Sequence, residues 1–209
     1  MAGKDTRTRI LVASLILFNE QGEPNTTTNQ IADEVDISPG NLHYHFRRKS
    51  DIVDALLAEF QADARRVLAT PDTDATGIPD FWAFVQSLAE MFAAYRFLFR
   101  DIDTLTSSYP QVARSLQGFV RALSATAELH VRGLSSAGKL AIAEPAVAEL
   151  CRSIAVVAMF SDRFDALRGL QYDAGRSALN VARSTLALLR PHATDEACAL
   201  IDQLLRQYA

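Results

Sequence analysis

The segment IADEVDISPGNLHYHF, residues 31–46, most restricts the fold that this chain can adopt. Its first half carries apolar residues at helical spacing, and Thr27 with Gln30 three residues later can form a capping box before them. Its second half begins with Ser38, a favoured N-cap residue, and Pro39, which suits the first position of a helix. The segment therefore predicts two short helices joined by a tight turn, the arrangement of a helix-turn-helix.

The second short helix is predicted to have a buried side and an outward side. Leu42 and Phe46 lie four residues apart and can face inward together. Of the outward residues, Asn41 can bond an adenine edge and His43 can donate to or accept from a base, so we predict that this helix enters the major groove of DNA. The other outward groups would hold phosphates. The predicted DNA-contacting residues are Thr27, Thr28, Pro39, Gly40, Asn41, His43, Tyr44, His45 and Lys49.

The charge of the chain favours a small reading surface over bulk coating of nucleic acid. The formal net charge is -4, yet Arg47, Arg48 and Lys49 form a run of three cations beside the outward residues. A plainer alternative is that HYHF is an aromatic core segment and that the cations form an ordinary solvated surface. Metal binding by His43 and His45 is disfavoured because residues two apart on a helix point away from each other. No metal and no cofactor is predicted.

Helical patterns fill the rest of the chain, and the predicted fold class is all-α. A first helix over residues 7–20 ends where Gly22 can serve as a C-cap. The segment TPDTDATGIPD, residues 70–80, is a linker. The predicted domains are residues 4–64 and residues 65–209. The remaining helices are predicted over 49–68, 80–99, 111–134, 145–167 and 174–189, with a last helix capped by Thr194.

The segment IADEVDISPGNLHYHFRRKSDIV, preceded by ILVASLILFNEQG, resembles the TetR family of bacterial transcriptional regulators. The close resemblance covers about residues 7–60. It implies an N-terminal three-helix helix-turn-helix DNA-binding domain and a C-terminal helical domain for ligand binding and dimerisation, and it supports the DNA contacts given above. The chain departs from the family pattern at Asp36, where many members have glycine and where aspartate can adopt left-handed backbone angles, and at His43, where tyrosine is common.

The helices predicted at 80–99 and 111–134 carry broad apolar faces with isolated polar groups beside them. Such faces most often form a plain core, but the polar groups could orient a mostly apolar ligand. For His130 a core role, and for Arg96 an ion-paired helix end, are the simpler interpretations. YRFLFRD with FNEQGEPN resembles a TetR subgroup that includes regulators of polyhydroxyalkanoate synthesis, which implies fatty acyl or acyl-CoA ligands. The candidate ligand-binding residues are Phe84, Leu88, Phe92, Tyr95, Arg96, Phe119, Leu123, His130 and Phe160.

The helix predicted over 145–167 is apolar on more than one side, so two partners must bury it. One partner is its own domain, and we expect the other to be a second subunit. Leu179, Ala182, Leu186 and Leu189 of the next helix are predicted to join the same interface. Two-fold symmetry would then hold two reading helices roughly 34–36 Å apart, or a multiple of that distance. The alternative is a thicker monomeric core.

Together these patterns predict a homodimeric repressor that leaves its DNA operator when a small apolar or acyl-type ligand binds. One alternative is an architectural or protein-controlled DNA-binding protein with a filled C-terminal core. A helical enzyme is disfavoured because no nucleophile pair, metal-ligand cluster, phosphate-binding glycine loop or carboxylate dyad is recognisable. The sequence carries no secretory signal and no uncharged run of eighteen apolar residues, which predicts a bacterial cytoplasmic location, at the nucleoid when DNA is bound.

Overall fold

The computed structural model describes residues 2–69 and 77–207, with side chains described from residue 5 onward. Most of the predicted linker, residues 70–76, lies outside the described residues. Within the described ranges the regular elements are helices, which confirms the all-α fold class, and β-type pairing is limited to an isolated bridge between Leu140 and Ala193. The α-helices are α1 (Ala2–Gln21), α2 (Thr28–Glu34), α3 (Pro39–His45), α4 (Lys49–Val67), α5 (Ile78–Ala94), α6 (Arg96–Arg100), α7 (Ile102–Ser108), α8 (Pro110–Ser136), α9 (Glu144–Leu167), α10 (Ala174–Leu189) and α11 (Asp195–Gln207).

The chain forms two compact units. The first consists of Met1–Asp63 and Ala94–Gln117, and the second of Ala64–Ala93 and Gly118–Ala209. The first segment of unit one ends at Asp63, and the sequence-based domains, residues 4–64 and 65–209, stay a prediction. Residues 94–117 group with the first unit, whereas the sequence-based division places them in the second domain. Their contacts in the first unit are long-range, and local sequence patterns do not reveal them.

The starts of α2 and α3 are fixed by side chains, as predicted. Oγ1 of Thr27 accepts from the backbone N–H of Gln30 at 3.2 Å, and Oε1 of Gln30 accepts from the backbone N–H of Thr27 at 2.8 Å. This reciprocal pair is a capping box. Oγ of Ser38 accepts from the backbone N–H of Asn41 at 3.2 Å. Both caps satisfy N–H groups that a helix start leaves without a partner.

A shared apolar core positions these two short helices. Phe18 of α1, Ile31 of α2 and Phe60 of α4 are fully buried in the first unit. In addition, Nη2 of Arg9 donates to the carbonyl oxygen of Val35 at 2.6 Å, just after α2. This bond satisfies a carbonyl group at the helix end and ties α2 to α1.

The helix predicted over 80–99 starts within two residues of its predicted start but ends earlier than predicted. Helix α5 begins at Ile78, and helical geometry is interrupted at Tyr95 (φ -112°, ψ 37°), between α5 and α6. Asn19 of α1 occupies the break: its Nδ2 donates to the carbonyl of Ala94 at 2.8 Å, and its Oδ1 accepts from the N–H of Phe97 at 2.9 Å. The polar groups that the break exposes are therefore satisfied by a side chain distant in sequence.

The later helices follow the predictions closely. The helices α8, α9 and α10 lie within two residues of the ranges predicted for them.

The ends of two helices carry turn residues. Gly22, with φ +96°, lies just after α1 in the left-handed conformation expected of a C-cap glycine. A 3-10 turn at Arg190–His192, which contains Pro191, follows α10.

Candidate nucleic-acid interface

The helix α3 presents a polar outer side above a buried inner side. Leu42 is 2% exposed and Phe46 is 3% exposed, whereas Tyr44 is 84% exposed. Gly40, Asn41 and His43 are also exposed, as is Pro39, and His45 is half-buried. The predicted division between inward and outward residues is confirmed, and the contact of the outward residues with DNA remains a prediction.

The turn between α2 and α3 fixes the angle at which α3 is presented. Asp36 has φ 54°, in the left-handed region that favours glycine, as expected from its place in the sequence. The N–H of Ile37 donates to the carbonyl of Ala32 at 3.0 Å, and the N–H of Asp36 donates to the carbonyl of Asp33 at 3.1 Å. These bonds close the end of α2 and define the turn.

The start of α2 offers a second polar surface. Thr27 is exposed and Thr28 is half-buried. The hydroxyl of Thr27 lies 2.9 Å from Oε1 of Gln30 as well as accepting from the Gln30 N–H, so it is held in the capping box. A phosphate at this helix start would meet backbone N–H groups and the positive end of the helix dipole.

Lys49 lies at the first position of α4 but points into a cluster of acceptors. Its Nζ lies 2.9 Å from Oε1 of Glu23 and donates to the carbonyl oxygens of Glu23 at 2.8 Å and Thr26 at 3.0 Å. The neighbouring cations, Arg47 and Arg48, are exposed. Sequence reasoning missed Glu23, because a lone acid in a loop 26 positions from its partner gives no local signal.

The candidate ligand-binding residues of the second unit pack in aromatic pairs. The rings of Phe84 and His130 stack with centroids 4.3 Å apart, and the ring of Phe119 meets that of Phe92 edge-on at 5.8 Å. Burial lowers the pKa of His130, an effect that the nearby Asp80 carboxylate opposes. The other two candidates in this unit's α5 and α8, Leu88 and Leu123, are fully buried. These residues have the packing of a core, and burial favours the neutral form of His130.

Three candidate ligand-binding residues have other surroundings. The hydroxyl of Tyr95 donates to Oδ2 of Asp63 at 2.8 Å, and Nη1 of Arg96 donates to the carbonyl of Asn19 at 2.9 Å, both within the first unit. Phe160 is 36% exposed and lies in a surface groove. The structure therefore does not place Phe160 in the aromatic cluster of α5 and α8.

The surface groove lies between α9 and α10 and has a volume of about 590 Å³. Exposed apolar side chains run along and beyond it, with Phe164 exposed by 62% and Leu167 by 89%. In contrast, Ala182, Leu186 and Leu189 of α10 are buried within the unit, so the prediction that they join an outer interface is wrong. The groove is lined by Val156, Val157, Phe160, Ser161, Phe164, Asp165, Arg168, Asn180 and Ser184.

None of the helices described has both the length and the apolar character needed to cross a bilayer. The same residues contain no group of three histidine, cysteine, aspartate or glutamate side chains placed to hold a metal ion.

A capped helix-turn-helix with an exposed polar side on its second helix is the arrangement of a class of DNA-binding proteins. Residues 10–56 match the model of the bacterial regulatory proteins of the tetR family, and residues 59–200 match the TetR model described as a bacterial transcriptional repressor. The chain belongs to the TetR family of transcriptional regulators.

Curated relatives match parts of the chain. The regulator UidR of Escherichia coli strain K12 is 31% identical over 115 residues, which cover 54% of this chain and 57% of that protein. The regulator TtgW of Pseudomonas putida is 40% identical over 58 residues, which cover 28% of this chain and 43% of that protein. The chain thus spans about half the length of these relatives.

Solved structures match over the whole chain. A TetR-family regulator from Marinobacter aquaeolei VT8 is 28% identical, with a TM-score of 0.87, and the match covers 97% of this chain and 98% of that one. A gamma-butyrolactone receptor is similar in fold, with a TM-score of 0.72 at 17% identity, over 100% of this chain and 98% of that one.

Proposed function

We propose that the protein is a homodimeric transcriptional repressor that binds an operator through α3 and leaves it when a small, mostly apolar ligand binds. The observation that carries the DNA part is the exposure of Asn41, His43 and Tyr44 on a helix whose Leu42 and Phe46 are buried. A rigid, capped helix with polar groups on its outer side suits the major groove. The proposed location is the bacterial cytoplasm.

The DNA contacts divide into two kinds. Asn41 and His43 read base edges, because an amide can bond adenine bidentately and an imidazole can donate or accept. Tyr44 and His45 reach phosphates, Thr27 and Thr28 hold a phosphate at the start of α2, and close approach is possible at Pro39 and Gly40. The sequence also predicts that Lys49 contacts DNA. In the structure its ammonium forms an ion pair with Glu23.

The test of this division begins with operator selection from a random DNA library. Asn41→Ala and His43→Ala should each change which bases are preferred at one operator position, with a loss of about 1–3 kcal/mol on the original site. Tyr44→Phe, which removes only a hydroxyl, should weaken all sequences about equally. If the three variants weaken every sequence alike, the division is wrong.

We propose that a second copy of the chain covers the apolar surface of α9. Phe164 and Leu167 are too exposed and too apolar for a solvated helix end, and Val156 is 51% exposed on the same helix. A two-fold contact would place the same residues on both sides. The dimer would present two copies of α3 to one DNA duplex.

Ligand binding is proposed for the second unit, with Phe84, Leu88, Phe92, Phe119, Leu123 and His130 as its residues. The residues suit an apolar ligand, and the resemblance of YRFLFRD and FNEQGEPN to polyhydroxyalkanoate-type regulators favours a fatty acyl group or acyl-CoA. Tyr95 and Arg96 belong to the first unit and Phe160 lies in the groove between α9 and α10, so these three residues are not part of the proposed set. The ligand would bind best to a conformation in which α4 is displaced. In that conformation the two copies of α3 in the dimer would no longer fit successive major grooves of DNA.

The stacking of Phe84 on His130 favours a second candidate function. If aromatic pairs fill the second unit, the protein is an architectural or protein-controlled DNA binder without a small-molecule inducer. Addition of medium-chain or long-chain acyl-CoA to the protein distinguishes the two functions. An inducer should raise the melting temperature of the protein and lower its affinity for the operator, whereas a protein with a filled core should show neither effect.

A further inference from the structure

Glu23 is a buried acid that the proposed DNA contacts do not use. It lies in the loop between α1 and α2, and it is only 3% exposed. Its Oε1 accepts from the hydroxyl of Tyr109 at 2.7 Å and lies 2.9 Å from Nζ of Lys49. A buried carboxylate is costly unless it is paired and hydrogen-bonded, and these two groups supply the pairing.

The ammonium of Lys49 is held by three oxygens in this arrangement. It donates to the carbonyls of Glu23 and Thr26, and it forms an ion pair with Oε1 of the Glu23 carboxylate at 2.9 Å. A DNA phosphate would therefore compete with the Glu23 carboxylate for the charge of Lys49.

Residues 94–117 also bond to this loop and to the end of α1. The backbone N–H of Glu23 donates to Oδ2 of Asp101 at 3.2 Å, and Nη1 of Arg100 donates to the carbonyl of Glu20 at 3.1 Å. A Cβ at Gly22 would clash with Nη2 of Arg100, so the backbone and the guanidinium approach more closely than a side chain permits. Burial and then the bond to Glu23 raise the pKa of Tyr109, which keeps its hydroxyl protonated as a donor.

We propose that Glu23 is an internal counter-ion that holds the Lys49 ammonium within the first unit, so that Lys49 positions the start of α2 instead of neutralising a phosphate. Tyr109 orients the carboxylate and links residues 94–117 to this position. Lys49 and Glu23 are thus positioning residues of the helix-turn-helix, and the pair presents no net charge to DNA. The inference rests on the proposed DNA-binding function.

Salt dependence of binding measures whether the Lys49 charge is available. The logarithm of affinity falls with the logarithm of salt concentration by about 0.9 for each phosphate neutralised. Glu23→Gln keeps the shape of the side chain and removes its charge. We expect this variant to bind a 30-base-pair duplex of arbitrary sequence with a slope steeper by about 0.9. The ratio of its affinity to that of the unmodified protein should therefore fall about 3.5-fold between 50 and 200 mM salt.

Two further variants make the result specific. Glu20→Gln removes an exposed carboxylate three residues away and should leave the slope as it is, since it frees no ammonium. Adding Lys49→Met to Glu23→Gln should restore the original slope. Equal slopes for Glu23→Gln and Glu20→Gln would overturn the proposal, as would a steeper slope that persists after Lys49 is replaced.

A measurement on the unmodified chain decides the question if Glu23→Gln does not fold. The sequence has three lysines, Lys4, Lys49 and Lys139, so the ¹⁵N ammonium resonances can be assigned by substitution. The Lys49 resonance should be protected from solvent exchange and should keep its position when the duplex is added. A shift like that of a phosphate-bound lysine would overturn the proposal. Unmodified protein without salt-dependent DNA binding would instead refute the proposed function.

Discussion

Phe164→Ser is expected to dissociate the proposed dimer. The ring is 62% exposed in the single chain. A phenylalanine presents about 200 Å², so a partner that covers the exposed part removes about 120 Å² from water. At about 25 cal/mol per Å², each ring contributes about 3 kcal/mol. A two-fold interface contains the residue twice, so the substitution should cost about 6 kcal/mol and raise the dimer Kd by about four orders of magnitude.

Sedimentation velocity at about 1 μM protein would measure this change, because a dimer of nanomolar Kd would then become mostly monomer. Val12→Ser on α1 is the matched control, since Val12 is apolar and 54% exposed but lies outside the α9 surface. It should leave the dimer intact. Operator affinity should fall with Phe164→Ser and not with Val12→Ser. A Phe164→Ser protein that sediments as a dimer at this concentration would refute the reasoning.

Three further outcomes are expected. Ser38→Ala should lower the free energy of unfolding by about 1 kcal/mol through loss of the α3 cap, whereas Ser153→Ala, in the middle of α9, should change it by less than about 0.5 kcal/mol, as urea titration would show. Leu42→Ala should cost about 2–5 kcal/mol in the same assay. Burial lowers the pKa of His130 below its unfolded value of 6.5, so stability is full above pH 6.5 and falls as the pH drops toward the folded pKa. His130→Phe should flatten this part of the urea midpoint profile between pH 7.5 and 5.5, and His43→Gln should not.

Local signals in the sequence were sufficient to predict the helix-turn-helix. The capping box at Thr27, the cap at Ser38 and the spacing of Leu42 and Phe46 depend on neighbours within four residues, and each prediction from them is confirmed. Asp36 was also correctly expected to adopt left-handed backbone angles. Interactions of this range are set by helix geometry, which sequence spacing specifies directly.

Contacts between distant segments could not be predicted in this way. The apolar pattern continues through Tyr95 without proline or glycine, so nothing nearby indicates that Asn19 ends α5 there. Likewise, the pairing of Glu23 with Lys49 and Tyr109 joins positions 26 and 86 residues apart. The prediction that buried α10 residues join an interface failed because periodicity identifies an apolar side but not which neighbour covers it.

The separation of buried and exposed positions along α3 has a consequence for how such a regulator changes over generations. Leu42 and Phe46 are buried and pack α3 against the core. Asn41, His43 and Tyr44 are exposed and contribute little to this packing. Substitutions at the outward positions can therefore alter target preference at almost no cost in folding. A duplicated copy of the gene could acquire a new set of target sites through a few such changes, while the scaffold that carries them stays the same.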